Sequence, residues 1–252
     1  MNQLVAASYS PMLVALSYLV SAVGAFLAMK SIAQYRASIT GFDRWVNLCA
    51  ASVALGGFGI WTMHFLGMLA LQLPLAVAYS LPETLGSLVA AVLACGIALW
   101  ALAQKRSPLR YAVAGLCLGA AICVMHYLGM QGMRFGGRFV WSWPTVGASV
   151  AVAVVAATLG LVLGFQTQRL AGRILGALVM GAAVCAMHYT GMAAADFVCT
   201  TTSPTLVPPG QFQVRATDMP GLIAIIALSV FALVAVDRVF TRMSRNMLAG
   251  RA

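Results

Sequence analysis

Apolar residues run along this chain in seven stretches, each followed by a short polar segment. A transmembrane helix needs about 20 predominantly apolar residues. Windows of that length fall at about 11–30, 46–70, 83–103, 111–133, 144–165, 173–196 and 220–240. The pattern predicts an all-α fold, an integral membrane helical bundle of seven transmembrane helices. The membrane domain is expected over residues 8–240, with residues 241–252 as a short cytoplasmic tail.

The stretches are related to one another. Met63-His64-Phe65-Leu66-Gly67-Met68, Met125-His126-Tyr127-Leu128-Gly129-Met130 and Met187-His188-Tyr189-Thr190-Gly191-Met192 are three copies of one motif. Successive histidines are 62 residues apart, and these are the only 3 in the protein. Gly57, Gly119 and Gly181 follow the same spacing, as do Pro82 and Pro144 at the start of the next helices. A fixed period of this length marks a repeated supersecondary unit. The architecture expected is three tandem two-helix repeats plus a seventh helix. Each motif falls near the end of an even-numbered helix. Those helices run in one direction, so the three motifs share one depth.

Composition supports the membrane reading. Hydrophobic residues make up 62% of the 252 residues and charged residues 8%, against roughly a quarter charged in soluble domains. The net charge of +10 is gathered in a few short connections. Lys30, Arg36, Arg44, Lys105, Arg106, Arg110, Arg169, Arg173, Arg238, Arg242, Arg245 and Arg251 belong to one side; Arg134, Arg138 and Arg215 belong to the other. The excess puts the N-terminus outside and the C-terminus in the cytoplasm, with the motifs near the outer face. The expected location is a bacterial inner membrane. No basic segment precedes the first span, so it is expected to remain as an anchor rather than be cleaved. Nucleic-acid binding needs a basic face with stacking aromatics on a soluble module, and the sequence has none.

The motif is rich in soft metal ligands. On a helix, positions four apart stack on one face, which pairs His64 with Met68, His126 with Met130 and His188 with Met192. One turn earlier stand Trp61, Cys123 and Cys185. Met63, Met125 and Met187 lie about 100° round the helix, toward a neighbour. Thioether, thiolate and imidazole together suit copper, especially Cu(I). Calcium and magnesium want several oxygens, and the motif has no carboxylate. The candidate metal ligands are the three histidines, these six methionines, Cys123 and Cys185. Glu83, Asp196 and Asp218 read as solvated loop charges, with cation attraction as the alternative. Gly67, Gly129 and Gly191 are expected to let helices approach closely. Phe65, Tyr127 and Tyr189 either shield the site or anchor at the interface. Cys49, Cys95 and Cys117 read as packing residues.

Three such motifs on even-numbered helices resemble the MHYT domain of bacterial signalling proteins. The resemblance covers roughly residues 8–240. Met187-His188-Tyr189-Thr190 carries the name motif in full, the second copy has Leu128 in place of Thr, and the first has Phe65 and Leu66. The resemblance implies a sensor that binds copper through His, Met and possibly Cys and responds to oxygen, carbon monoxide or nitric oxide. In many such proteins a cytoplasmic module that makes or degrades cyclic di-GMP follows. Here the chain ends at Ala252, so a stand-alone form signalling through a separate cytoplasmic or membrane partner is expected.

Two other functions compete. One is copper uptake, storage or delivery, to which outward-facing soft sites are suited. The other is haem binding through His and Met. Enzymatic function is not expected: no Ser-His-Asp set or Gly-rich phosphate loop is present. A retinal Schiff base needs a lysine within a span, and Lys30 and Lys105 fall at the cytoplasmic ends.

Overall fold

A computed structural model describes residues 3–104, 107–166 and 169–249. Lys105, Arg106 and Arg251 lie outside the described residues, as do the side chains of Arg238, Arg242 and Arg245. Seven helical rods form the bundle: α1 (Pro11–Ala37), α2 (Gly41–Ala70), α3 (Leu81–Gln104), α4 (Pro108–Gln131), α5 (Trp143–Gln166), α6 (Leu170–Ala193) and α7 (Met219–Ala249). The first six are each long and apolar enough to cross a membrane. In α7 the apolar part is Met219–Leu233, and the helix continues to Ala249, through most of the expected tail. The chain is thus an all-α, multi-pass membrane bundle of about seven helices.

Local sequence explains several helix starts. Pro11 and Pro108 occupy first-turn positions, where a missing N–H costs nothing. The Thr40 hydroxyl accepts from the Asp43 N–H at 3.0 Å, and the Ser107 hydroxyl from the Arg110 N–H at 3.3 Å, satisfying otherwise orphaned donors.

α1 to α6 close into a ring. Each helix packs on its sequence neighbours, and α6 returns to α1. The even-numbered helices also meet one another, while α7 lies outside the ring against α2. Small residues permit the close approaches. A Cβ on Gly119 would come within 2.6 Å of the Val154 Cα of α5, and one on Gly181 within 3.0 Å of the Ala22 Cα of α1.

α2 differs from α4 and α6. Its middle, Val53–Thr62, is π-helical, between α-helical Gly41–Ser52 and Met63–Ala70. The wider coil absorbs extra residue per turn, which shifts register. Gly57 aligns with Gly119 and Gly181 in sequence, yet a Cβ there would meet only side chains at 3.6–3.7 Å. Gly56 makes the tight contact instead, 2.6 Å from the Ala91 carbonyl of α3. The Thr62 hydroxyl donates to the Gly57 carbonyl at 3.1 Å, bracing the widened turn.

The connections at the motif end were expected as plain loops. They form short antiparallel strands: β1 (Gln3–Leu4), β2 (Ser8–Tyr9), β3 (Leu71–Gln72), β4 (Val77–Ser80), β5 (Met133–Phe135), β6 (Gly137–Trp141), β7 (Ala195–Cys199) and β8 (Gln213–Arg215). They pair in the orders β1-β7-β6, β2-β3 and β5-β4-β8. Two of the sequence windows overran their helices for this reason: Met133 and Ala195–Asp196 belong to strands. Pairing gives the backbone of these connections its hydrogen bonds where the helices stop, and it caps the bundle end that holds the motifs.

Candidate metal centre

Each motif lies in the closing turns of α2, α4 or α6, at the end where these helices converge. The convergence brings His64, His126 and His188 together. Their Nδ1 atoms form a nearly equilateral triangle: 3.1 Å from His64 to His188, 3.2 Å from His64 to His126 and 3.2 Å from His126 to His188. The rings stand edge to face, with centroids 5.0–5.1 Å apart and planes 82–89° from one another. All three side chains are 0–1% exposed.

The opposite edge of each ring is held just as regularly. A Cβ on Gly129 would collide with His64 Nε2, one on Gly191 with His126 Nε2, and one on Gly67 with His188 Nε2. Each imidazole therefore lies in the notch left by the glycine of the next motif, and the three contacts close a cycle. From their sequence positions these glycines are expected to serve close helix approach. Their role is narrower: they make room for a neighbour's ring. The shared offset of three residues between His and Gly in every copy was the available signal.

Three nitrogens in such a triangle could hold a cation between them. A neutral imidazole carries one N–H and one lone pair. A proton on one Nδ1 can be shared between the other two nitrogens, each 3.1–3.2 Å away. If all three lone pairs face inward, they repel unless a cation lies among them. A point equidistant from nitrogens 3.1–3.2 Å apart is about 1.8 Å from each, close to a metal–imidazole bond of roughly 2.0–2.1 Å for zinc. The Nε2 atoms, buried and without a well-formed hydrogen bond, face the glycine backbones. The donor set fits one metal ion bound through Nδ1 of all three histidines.

The other candidates are placed as follows. Met63, Met68, Met125, Met130, Met187 and Met192 are all buried in the bundle core. Cys123 and Cys185 are buried too, but among the described His, Cys, Asp and Glu residues the cluster of ligand atoms within 4.8 Å is made by the three histidines. The cysteines are electrostatic neighbours of Tyr127 and Tyr189. Those tyrosines lie edge-on to their own histidines, with ring centroids 4.8 Å apart.

Hydroxyls on the odd-numbered helices steady the aromatic residues. Tyr127 OH is 2.7 Å from Ser149 Oγ of α5, and Tyr189 OH is 3.1 Å from Ser17 Oγ of α1. In the first copy Phe65 has no hydroxyl. There Trp61 Nε1–H donates to Ser87 Oγ at 3.1 Å and to the Thr84 carbonyl at 2.9 Å, both on α3. The motif pattern does not single out these serines, although Ser87 and Ser149 keep the 62-residue spacing. Of the motif-end acids, Glu83 pairs with Arg134 at 2.5 Å. Asp196 is exposed on β7. Buried Tyr79, on β4 above the first motif, has its phenol pushed well above the ordinary range by desolvation.

Comparison with known proteins places the same three units in a family. The family model for the bacterial signalling protein N-terminal repeat, MHYT, matches residues 57–115, 119–177 and 181–250. The bifunctional diguanylate cyclase/cyclic di-GMP phosphodiesterase MucR of Pseudomonas aeruginosa is 38% identical over 196 residues, covering 75% of this chain and 28% of its own length. The cyclic di-GMP phosphodiesterase NbdA of the same organism is 31% identical over 248 residues, or 95% of this chain and 31% of its own length. The signalling protein YkoW of Bacillus subtilis is 26% identical over 212 residues, 81% of this chain and 26% of its own. The chain thus spans under a third of the length of these relatives. No solved structure matches it.

Proposed function

This chain belongs to the MHYT family of bacterial membrane signalling repeats, and we propose that it is a sensor domain holding one copper ion, as Cu(I), on His64, His126 and His188. The observation that carries the reading is the Nδ1 triangle, 3.1–3.2 Å on each edge and sealed from solvent. Charge favours copper over zinc. The Born cost of moving an ion from water into an apolar interior rises with the square of its charge, so a monovalent ion pays about a quarter of what a divalent one pays. Among the described residues no carboxylate belongs to the cluster to neutralise the difference. Six buried motif methionines add soft, polarizable surroundings. Bound there, copper would supply an electron-rich centre able to take up a diatomic gas or to change oxidation state.

The protein's own part is to hold three neutral imidazoles at fixed orientation and to exclude water. The glycine notches and the tyrosine–serine pairs do the first; the strand cap does the second. A shift of one imidazole moves its helix against the other two, because each ring is wedged against the next motif's backbone. Such a two-state rearrangement carries a signal along the bundle. The names of MucR and NbdA point to cyclic di-GMP turnover as the output of a signalling partner. The charge distribution supports a bacterial inner-membrane setting with the motif end outside.

Full enclosure of the triad supports a resident ion rather than transported cargo. Ring centroids 5.0–5.1 Å apart leave no gap for a porphyrin between the histidines, so the geometry supports a single ion over haem. Metal analysis of purified protein tests the reading. About one copper per chain is expected, with a spectrum that changes on adding nitric oxide or carbon monoxide. Protein without copper, or copper retained after replacing all three histidines by Ala, overturns it.

A further inference from the structure

A buried triad raises the question of how an ion reaches it. Beside the third motif the strand cap leaves a cavity of about 500 Å3. Its outer wall is the N-terminal segment with β7, including Leu4, Ala7, Tyr9 and Asp196; its inner wall includes Tyr189 and Met192. Tyr9 stands edge-on to Tyr189 across it, with centroids 5.7 Å apart. Asp196 is the single carboxylate among the lining residues and is exposed, while Met192 is the single soft donor and is buried. Met192 lies one helical turn beyond His188, so the cavity reaches the third motif itself.

We infer that this cavity is the acquisition site for a soft monovalent cation, with Asp196 drawing the ion in and the Met192 thioether passing it to the triad. The order of chemistry along the cavity supports this. An exposed carboxylate attracts a hydrated cation at a distance. A thioether in an apolar setting then offers a bond that Cu(I) or Ag(I) accepts and that zinc, calcium and magnesium do not favour. The inference rests on the triad being the metal site.

The test follows the rate of Ag(I) and Cu(I) loading into purified protein, together with the amount bound at equilibrium. Met192→Leu keeps volume but removes the donor and is expected to slow loading about tenfold or more. Asp196→Asn is expected to slow it about threefold at low ionic strength and hardly at all at high salt, as screening predicts. Ala7→Trp, at the mouth and away from the triad, is expected to slow loading by blocking the cavity. Asp196→Asn and Ala7→Trp should bind the same final amount as the wild type. Unchanged rates with normal final binding overturn the route and leave the triad standing. Slowing in Met192→Leu alone overturns the cavity as the way in. Reduced final binding in Met192→Leu makes this methionine a resident ligand instead. Wild-type protein that binds neither ion at equilibrium overturns the triad reading and the route together.

Discussion

The first motif copy and the other two present the same imidazole to the triad from different scaffolds. In α4 and α6 the motif continues a regular helix, with Cys123 or Cys185 one turn before the histidine and a tyrosine after it. In α2 a π-helical segment precedes the motif, Trp61 stands at the cysteine position, and Phe65 at the tyrosine position. The polar link to the neighbouring odd-numbered helix persists, but its aromatic partner changes from a phenol hydroxyl to an indole N–H. The tight helix contact persists as well, moved from the aligned glycine to Gly56. His, the notch glycine and the two motif methionines keep both identity and position in all three copies. The centre therefore depends on where each ring stands, and the supporting residues vary as long as they hold it there.

The difference also has a direction. Among the motif helices α7 packs chiefly on α2, with Phe58 and Phe231 edge to face at 4.8 Å and Val230 beside Gly57. The second and third copies pack against their ring neighbours, whereas the first also bears the extra helix. A pseudo-threefold site is thereby tied to one side of the bundle.

The equivalence of the three copies at the triad is broken most severely through the notch glycines. Gly67→Ala, Gly129→Ala and Gly191→Ala each push a methyl into a neighbour's imidazole. Bound copper should fall at least tenfold in each, by similar amounts, with a stability loss of about 1–3 kcal/mol from overpacking. Metal analysis and thermal unfolding in detergent check this; a loss confined to one copy would end the claim of equivalence.

The register shift in α2 is the next point to probe. Gly119→Ala, Gly181→Ala and Gly56→Ala drive a Cβ into the neighbouring helix backbone and should cost about 1–3 kcal/mol. Gly57→Ala should remain within about 0.5 kcal/mol of the parent, because its neighbours are side chains in ordinary contact. Equal losses at Gly56 and Gly57 would show that α2 is not shifted.

Smaller effects separate the aromatic supports. Trp61→Phe removes the indole's two buried hydrogen bonds, to Ser87 Oγ and the Thr84 carbonyl, and should cost about 1–3 kcal/mol, whereas Tyr127→Phe and Tyr189→Phe each give up one hydrogen bond worth about 0.5–1.5 kcal/mol. Comparing the three melting temperatures tells whether the indole carries more than the phenols. The smallest change expected is at the half-exposed Glu83–Arg134 pair. Arg134→Gln should cost under about 1 kcal/mol, and the loss should shrink in high salt.

Much of this was legible in the order of residues. Seven apolar stretches, the 62-residue period and the shared depth of the motifs rest on two local requirements. A helix must be long enough to cross hydrocarbon, and a duplicated unit keeps its spacing. The three histidines were legible for the same reason. Harder to see were the strands at the motif end: their segments are two to five residues long and carry no pattern until a distant partner pairs with them. Helical-wheel reasoning paired each histidine with a methionine on its own helix. The close contacts instead join residues on different helices, which a wheel of one helix does not represent.

The sequence by itself determined a membrane bundle of repeated helix pairs with soft, metal-type residues at one level, because hydropathy and periodicity are properties of neighbours along a chain. Only the tertiary structure decided that three Nδ1 atoms meet within 3.2 Å, that a glycine in each motif makes room for the next motif's imidazole, and that one helix in three is wound differently to reach the same point. Those outcomes depend on how helices distant in sequence lie against one another, and a fraction of an ångström in that packing separates an ion-sized triangle from three unrelated side chains.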